Sequence, residues 1–415
     1  MTVLAGAAIL VGQRVLRKRV ELARERMKSE PPVAPGPARL EGEDPIAWLL
    51  AIEKAEPQED LPIPEECSEA PEDARDTLDG TWTRLSAWNL AEPDVISGCT
   101  LAILRAQVAS TAAQLELARQ TERYGPFQLP EIPSEINDFS KLAPAHVSKA
   151  MKVVRVLVDS AALAAAQGDA QRAIQDLRLA FRGIGIIDER DGTTNWLCVR
   201  YTEGLFLGAV TRLAQWLDPA IDLSEFQALL QGVDPWPAYE ATLRTERTRF
   251  VACLDVVRRH STEGQPPGVE LLGVDAWVDH EEKLLLDAYA AGLEAARAHR
   301  APPAEEPFEP RPWNVMFSMM APPLQRHHET LLHSEVRRLL TIGVLVARHD
   351  GLEAAEAWAA GQVDPFAAGA LRTRRDGDVL RIWSVGPNGN DDGGDSGDPD
   401  EPRPPQDLVV SFRVR

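Results

Sequence analysis

The chain has 415 residues, of which 44% are hydrophobic and 26% charged. That is room for roughly two or three globular domains of ordinary composition. A formal net charge of −20 excludes nucleic acid as a partner, because phosphate binding needs clustered Lys and Arg. Four cysteines, Cys67, Cys99, Cys198 and Cys253, stand far apart with no CxxC spacing, which excludes a cysteine zinc knuckle. An even count permits disulfides without demanding them, so cysteine usage leaves the redox compartment open.

Residues 2–12 read TVLAGAAILVG without a charge; Gln13, Arg14, Val15 and Leu16 follow, then Arg17-Lys18-Arg19. This apolar run is shorter than the ~20 residues that span a bilayer. It also lacks the basic lead-in and small-residue cleavage site of a secretory signal. Three readings compete for residues 1–30: a short membrane anchor, the buried half of an amphipathic helix, or an interfacial helix whose basic half lies on anionic lipid. The basic flank favours a cytoplasmic position for its own side, which conflicts with an exported body.

Residues 31–77 read as a proline-rich acidic linker, holding one short helix over 45–55 with Trp48 and Leu49. Proline removes a backbone donor and fixes φ, so PPVAPGP at 31–37 and the acidic stretch 57–73 are extended. Residues 78–360 form a helical domain, with helices expected over 100–123, 146–166, 170–181, 202–217, 239–260, 274–299, 327–349 and 352–360. Gly168-Asp169 supplies a stop followed by an N-cap. The flanking small residues resemble one tetratricopeptide-type hairpin, but stacked arrays need about three units, and an ordinary αα-hairpin is the simpler reading. Ser224 and Gln227 fit a capping box, Pro237 fits a first helical turn, and PPAEEPFEPRP at 302–312 is a loop.

From 361 to 415 the period changes. Strands are expected over 371–375 and 379–385, joined by the hairpin signal Asp376-Gly377, with a third over 408–414. A bare hairpin is marginal in water, so these strands should pack on the helix at 352–360. The fold class is mainly α: a multi-helix bundle or helical-hairpin domain with a small C-terminal antiparallel β-module.

Chemistry is sparse. His327, His328, Glu329 and His333 suggest a zinc-protease helix, but His328 and His333 lie five apart, about 140° around the helix, where HExxH needs one turn. His280-Glu281-Glu282 is explained by the preference of acids for helix N-termini. No GxSxG elbow, Walker loop or GxGxxG motif is present. The ten tryptophans, among them Trp82, Trp88, Trp196 and Trp216, are scattered at helical spacing and read as core.

The sharpest feature is GPNGNDDGGDSGDPDEPRPPQD at 386–407, which crowds carboxylates between two strands. Calcium takes six to eight oxygens on a flexible backbone, and the glycines here allow tight turns. Asn388, Asn390, Asp392, Asp395, Asp398 and Asp400 are the candidate metal ligands. The opening fits an EF-hand loop, but Pro399 stands where the closing Glu belongs. A solvated acidic loop is the competing reading.

Asp364-Pro365-Phe366, the strand end Trp383-Ser384-Val385-Gly386-Pro387-Asn388-Gly389, the Gly/Asp loop and the last strand together resemble the C-terminal end of the major pseudopilin of type II secretion systems. The resemblance covers about the last fifty residues and implies a shared β-module with a calcium loop. Two departures stand out within it: Asn388 where that family has Asp, and the extra stretch 401–406. The N-terminus also lacks the pilin leader and the long apolar helix with an early Glu, so no pilus subunit is implied.

The expected function is a non-enzymatic, membrane-tethered helical scaffold of the cell envelope, meeting unknown protein partners and steadied by calcium; without the tether it would be cytoplasmic. The alternative is an enzyme with a metal or acid–base site built between helices from His280, Glu281 and Glu282, or from His327, His328 and Glu329. The ExxH spacing of di-iron bundles is missing.

Overall fold

The computed structural model describes residues 2–30, 42–55, 98–125, 147–262, 274–299, 324–395 and 407–413. The chain is mainly helical and ends in a three-stranded antiparallel sheet. The expectations at 31–37, 57–73 and 302–312, together with Trp82 and Trp88, lie outside the described residues.

The helices are α1 (Thr2–Ser29), α2 (Ile46–Lys54), α3 (Gly98–Ser110), α4 (Ala112–Ala118), α5 (Val147–Ala166), α6 (Ala170–Ile184), α7 (Thr193–Trp216), α8 (Ser224–Gln231), α9 (Trp236–Thr262), α10 (Val274–Arg297), α11 (Leu324–Asp350) and α12 (Leu352–Ala360). The strands are β1 (Arg372–Asp376), β2 (Val379–Ser384) and β3 (Leu408–Arg413).

Residues 100–123, expected as one helix, divide at Thr111. The Ser110 and Thr111 hydroxyls both donate to the Gln107 carbonyl, at 2.8 and 2.9 Å. Such back-bonding competes with the helical ladder and bends it. The α5–α6 hairpin forms as read: Gly168 takes φ +80° and the Asp169 carboxylate accepts the Arg172 amide at 3.1 Å. The Ser224/Gln227 capping box does not form. Asp222 accepts the Ser224 amide instead, at 2.8 Å, and this backbone hydrogen bond, the leading cause, holds its carboxyl below the usual range.

α7 begins nine residues before the expected Thr202 because its cap comes from another helix. Glu246 of α9 accepts the Thr193 amide at 2.7 Å. α5 is enclosed by its neighbours, with buried residues on every face. One of them, Asp159, is almost wholly inaccessible, and burial pushes its carboxyl well above the usual range.

α11 joins the helices to the sheet. The Arg348 guanidinium donates to the carbonyls of Ala214, Leu217 and Ile221, at 2.6, 3.1 and 3.1 Å. It thereby satisfies the Ala214 and Leu217 carbonyls that the end of α7 leaves open, and ties in Ile221 of the segment that follows. Gly343 of α11 admits the β-module: a Cβ there would stand 2.8 Å from Ile382 Cδ1 and 3.0 Å from Trp358 Cζ3. The strands therefore pack on α11 as well as on the expected α12. Leu380, Ile382, Val410 and Phe412 join one hydrophobic cluster with α5, α7 and α11. Gln215 of α7 ties in β3, donating to the Ser411 carbonyl at 3.2 Å. A second, smaller cluster holds Trp196, Tyr239, Tyr289 and Leu331, between α7, α9, α10 and α11.

In the hairpin, Asp376 pairs with Val379 across Gly377, which takes φ +66°. The order is β1-β2-β3, with Trp383 opposite Val409. β1 is an edge strand reading RTRRD, and charges of this kind blunt an edge against further pairing.

Candidate functional site

The β-module is fastened at its base by Asp364. Its buried carboxylate accepts the Ser384 hydroxyl at 2.6 Å, the Val385 amide at 3.0 Å and the Phe366 amide at 3.0 Å. These are the residues of the Asp364-Pro365-Phe366 turn and the Ser384-Val385-Gly386 strand end. Their co-occurrence has a physical cause: one carboxylate closes the turn and terminates β2.

The glycine and aspartate loop starts from that anchor. Asn388 accepts the Asn390 amide at 2.9 Å through its side-chain oxygen and donates to Asp392 at 3.0 Å. Asp391 accepts from Trp383 Nε1 at 3.0 Å, from the Gly393 amide at 3.1 Å and from Arg372 Nε at 3.3 Å. The Trp383 hydrogen bond, the leading cause, holds the Asp391 carboxyl below the usual range. Gly394, at φ +77°, lies against the Trp383 ring, where a Cβ would meet ring carbons at 3.3 Å. Only a glycine lets the loop close on that ring in this conformation.

Asp407 closes the loop from the other side. It is 1% exposed, and its Oδ2 accepts the Gly394 amide at 2.8 Å. The Asp392 amide also donates to this carboxylate. Its Oδ1 is buried without a hydrogen-bond partner. Burial first, and the Asp392 and Asp391 charges after it, push its carboxyl up.

Of the expected ligands, Asn388 and Asp392 are brought together, while Asn390 contributes a backbone amide and has an exposed side chain. Asp395 is exposed, and Asp398 and Asp400 lie outside the described residues. Among the described residues no three or more His, Cys, Asp or Glu side chains are arranged to hold a metal ion. Sequence reasoning passed over Asp391 and Asp407. The available signal for Asp407 was its place immediately before the apolar run Leu408-Val409-Val410.

No family model, curated protein or solved structure matches the chain.

The two clusters proposed for an enzyme have other occupations. Glu282, fully buried, pairs with Arg24 and with Arg258 at 2.7 Å. Glu281 is buried beside it on α10, and His280 is half-buried. His327 meets the Trp196 ring edge-on at 5.9 Å between centroids. Burial, and then neighbouring His328, lower its pKa to about 4. His328 Nδ1 lies 3.2 Å from the Tyr239 hydroxyl, and Glu329 is half-buried. His333 packs edge-on against Phe366 at 5.2 Å, and burial lowers its pKa to about 4. His327 and His333 are therefore neutral at pH 7.

α1 is one continuous helix that carries both the apolar and the basic segments. Arg17 pairs with Asp279 at 3.5 Å, Arg24 with Asp255 at 2.7 Å, and Glu30 with Arg247 at 2.7 Å. Arg258 joins α9 to α10 through Asp279 at 2.6 Å, and Arg297 reaches Glu240 at 2.7 Å. This register sets α1 antiparallel to α9 and parallel to α10. Residue 14 is about level with Val274, where α10 starts, and residue 16 with Thr262, where α9 stops. The uncharged stretch 2–12 thus runs on past the ends of both helices. No helix among the described residues is long and apolar enough to cross a membrane.

Proposed function

We propose that the chain is a non-enzymatic helical scaffold of the cell envelope, held to a membrane surface through residues 2–12. The observation that carries this reading is the register of α1. It sends an uncharged helical stretch of about 16 Å beyond the two helices that hold it. That length is about half of a ~30 Å hydrocarbon core, which suits a helix that dips into the interface. Arg14, Lys18 and Arg19 follow the stretch closely and match anionic headgroups. An interfacial helix leaves its basic flank on the same side as the body, which removes the conflict over orientation. Cys99 is disulfide-bonded whereas Cys198 and Cys253 are free thiols, and a disulfide persists in an oxidising compartment.

Flotation with vesicles of mixed phosphatidylglycerol and phosphatidylcholine tests the tether. The full chain is expected to float with the vesicles, and the Ile9→Asp/Leu10→Asp variant to stay in the dense fraction with an unchanged melting temperature. Equal behaviour of the two proteins, floating or not, would refute the tether.

A second reading concerns the loop, and one orphaned atom favours it. Asp407 Oδ1 is a buried anionic oxygen without a donor, the kind of group that a hard cation satisfies. The Asp392 carboxylate and the glycine-rich turn stand beside it, so Asp407 joins the expected set as the residue that would hold calcium. The ion would offset the repulsion among the loop carboxylates. Calcium at millimolar level is then expected to raise the melting temperature of the wild type and not that of Asp407→Asn, because an ion bound only by the folded chain must stabilise it. A wild type indifferent to calcium, or an equal rise in both proteins, would remove the ion from the account.

A further inference from the structure

We propose that α1 is a detachable strap, held to α9 and α10 by an ionic clasp that opens without unfolding the body. The inference concerns how the helix is held, and it stands whether or not residues 2–12 meet lipid.

Among the described side chains of α1, residues 15–29, only Val20 is a buried hydrophobic residue, and none of them belongs to either hydrophobic cluster. α5, by contrast, owes its place to apolar residues such as Val153, Leu157 and Ala161, all inside the larger cluster. Apolar burial stabilises by about 25 cal/mol per Å², so residues 15–29 of α1 are attached to the body by little of the force that holds α5.

Ion pairs hold this part of α1 instead. Two cations on α1, and Glu30 just past its end, meet complements on the body. Arg17 reaches Asp279, Arg24 spans Asp255 and Glu282, and Glu30 takes both guanidinium nitrogens of Arg247 at 2.7 Å. Arg244 approaches the same Glu30 carboxylate at 3.8 Å. Several members of the clasp are solvent-accessible: the side chains of Arg17, Arg24 and Asp255 are 56%, 28% and 42% exposed. Salt screens such pairs, and the screening length falls to ~3 Å at 1 M.

The acids of the body that α1 meets keep a partner when it lifts away. Breaking a buried pair is costly when it strands a charge. Here Arg258 already holds Glu282 at 2.7 Å and Asp279 at 2.6 Å from the body itself. Asp255, Asp279 and Glu282 therefore share Arg258 after α1 leaves, and buried Arg247 is the body residue that loses its carboxylate, Glu30.

Hydrogen exchange of the full-length protein, followed by mass spectrometry without vesicles, tests the clasp. On raising salt from ~0.03 M to ~1 M, protection of amides 15–29 is expected to fall at least tenfold while α5 and α7 keep theirs. Glu30→Arg is expected to give the same loss at low salt, and Glu30→Arg with Arg247→Glu to restore protection. The proposal is overturned if α1 stays protected in high salt and in Glu30→Arg. It is equally overturned if α1 loses protection only together with α5 and α7. Vesicle flotation reads a different property, so failure of the tether and failure of the clasp are separable.

Discussion

Asp364→Ala is expected to destabilise the protein by about 3–5 kcal/mol, because it removes one acceptor from several buried donors at once. The carboxylate accepts three hydrogen bonds inside the molecule, from Ser384, Val385 and Phe366. A hydrogen bond to a charged acceptor contributes about 1.5–3 kcal/mol, and each buried donor left unsatisfied costs about 1–3. The Ser384 hydroxyl can turn to another acceptor, whereas the two amides are fixed. The damage should also spread, because the turn that Asp364 closes places Phe366 against His333 of α11. Urea unfolding of wild type and variant gives the number, and near-ultraviolet dichroism from Trp383 reports whether the module goes first. A loss below about 1 kcal/mol, less than a single charged hydrogen bond contributes, would show that the carboxylate does not fasten the module.

Acid is expected to weaken the fold between about pH 6.5 and pH 4, and His327 is the main cause. Burial lowers its pKa from 6.5 to about 4. In that window the unfolded chain binds a proton that the folded chain refuses, so stability rises with pH. The contribution is complete above pH 6.5 and is lost as pH falls towards 4. The shift corresponds to about 3 kcal/mol for this one buried side chain. His333, lowered for the same reason, adds in the same direction but is half-buried, and its share is discounted accordingly. Asp159 acts with the opposite sign. Its raised pKa means that the folded chain keeps a proton that the unfolded chain sheds, so its ionisation costs stability as pH rises above the ordinary carboxylate range. The measurement is the urea midpoint of wild type and His327→Gln across pH 4 to 7. The variant should lose about one proton's worth of slope, and identical slopes would place the His327 proton elsewhere.

What the sequence told about the fold was set by how local each signal is. The helix at 352–360 was legible to the residue and the hairpin to within one, with Asp376 falling in β1 and not in the turn, because periodicity and turn chemistry act within a few positions. The Gly168-Asp169 stop and cap were legible for the same reason. The true start of α7 was not, because its N-cap acceptor is Glu246, fifty-three residues further on. The Ser224/Gln227 box matched a local pattern that a neighbouring carboxylate, Asp222, displaced. Gly343 looked like an ordinary glycine within a helix; only the approach of Ile382 and Trp358 gives it a reason.

The candidate site divides in the same way. Crowded acids and glycines marked the loop, and the pairing of Asn388 with Asp392 fell inside the expected set. Asp407 escaped because its importance is burial, which follows from β3 closing the sheet. The ion pairs of α1 were out of reach of any local rule: Arg24 and Glu282 are 258 positions apart. His280-Glu281-Glu282 therefore looked like a helix N-terminus, when Glu282 is a fixed point of the α1 clasp.

The central functional claim is that α1 is held by the body over its second half and enters a membrane surface with its first. Depth-dependent fluorescence quenching measures this most directly. A single fluorophore is placed at Ala8 or at Ser29 of the full chain, and vesicles carry quenchers at known depths. The Ala8 probe is predicted to be quenched from within the hydrocarbon, and the Ser29 probe only by a quencher in solution. Two probes that both respond to the aqueous quencher alone would contradict the account.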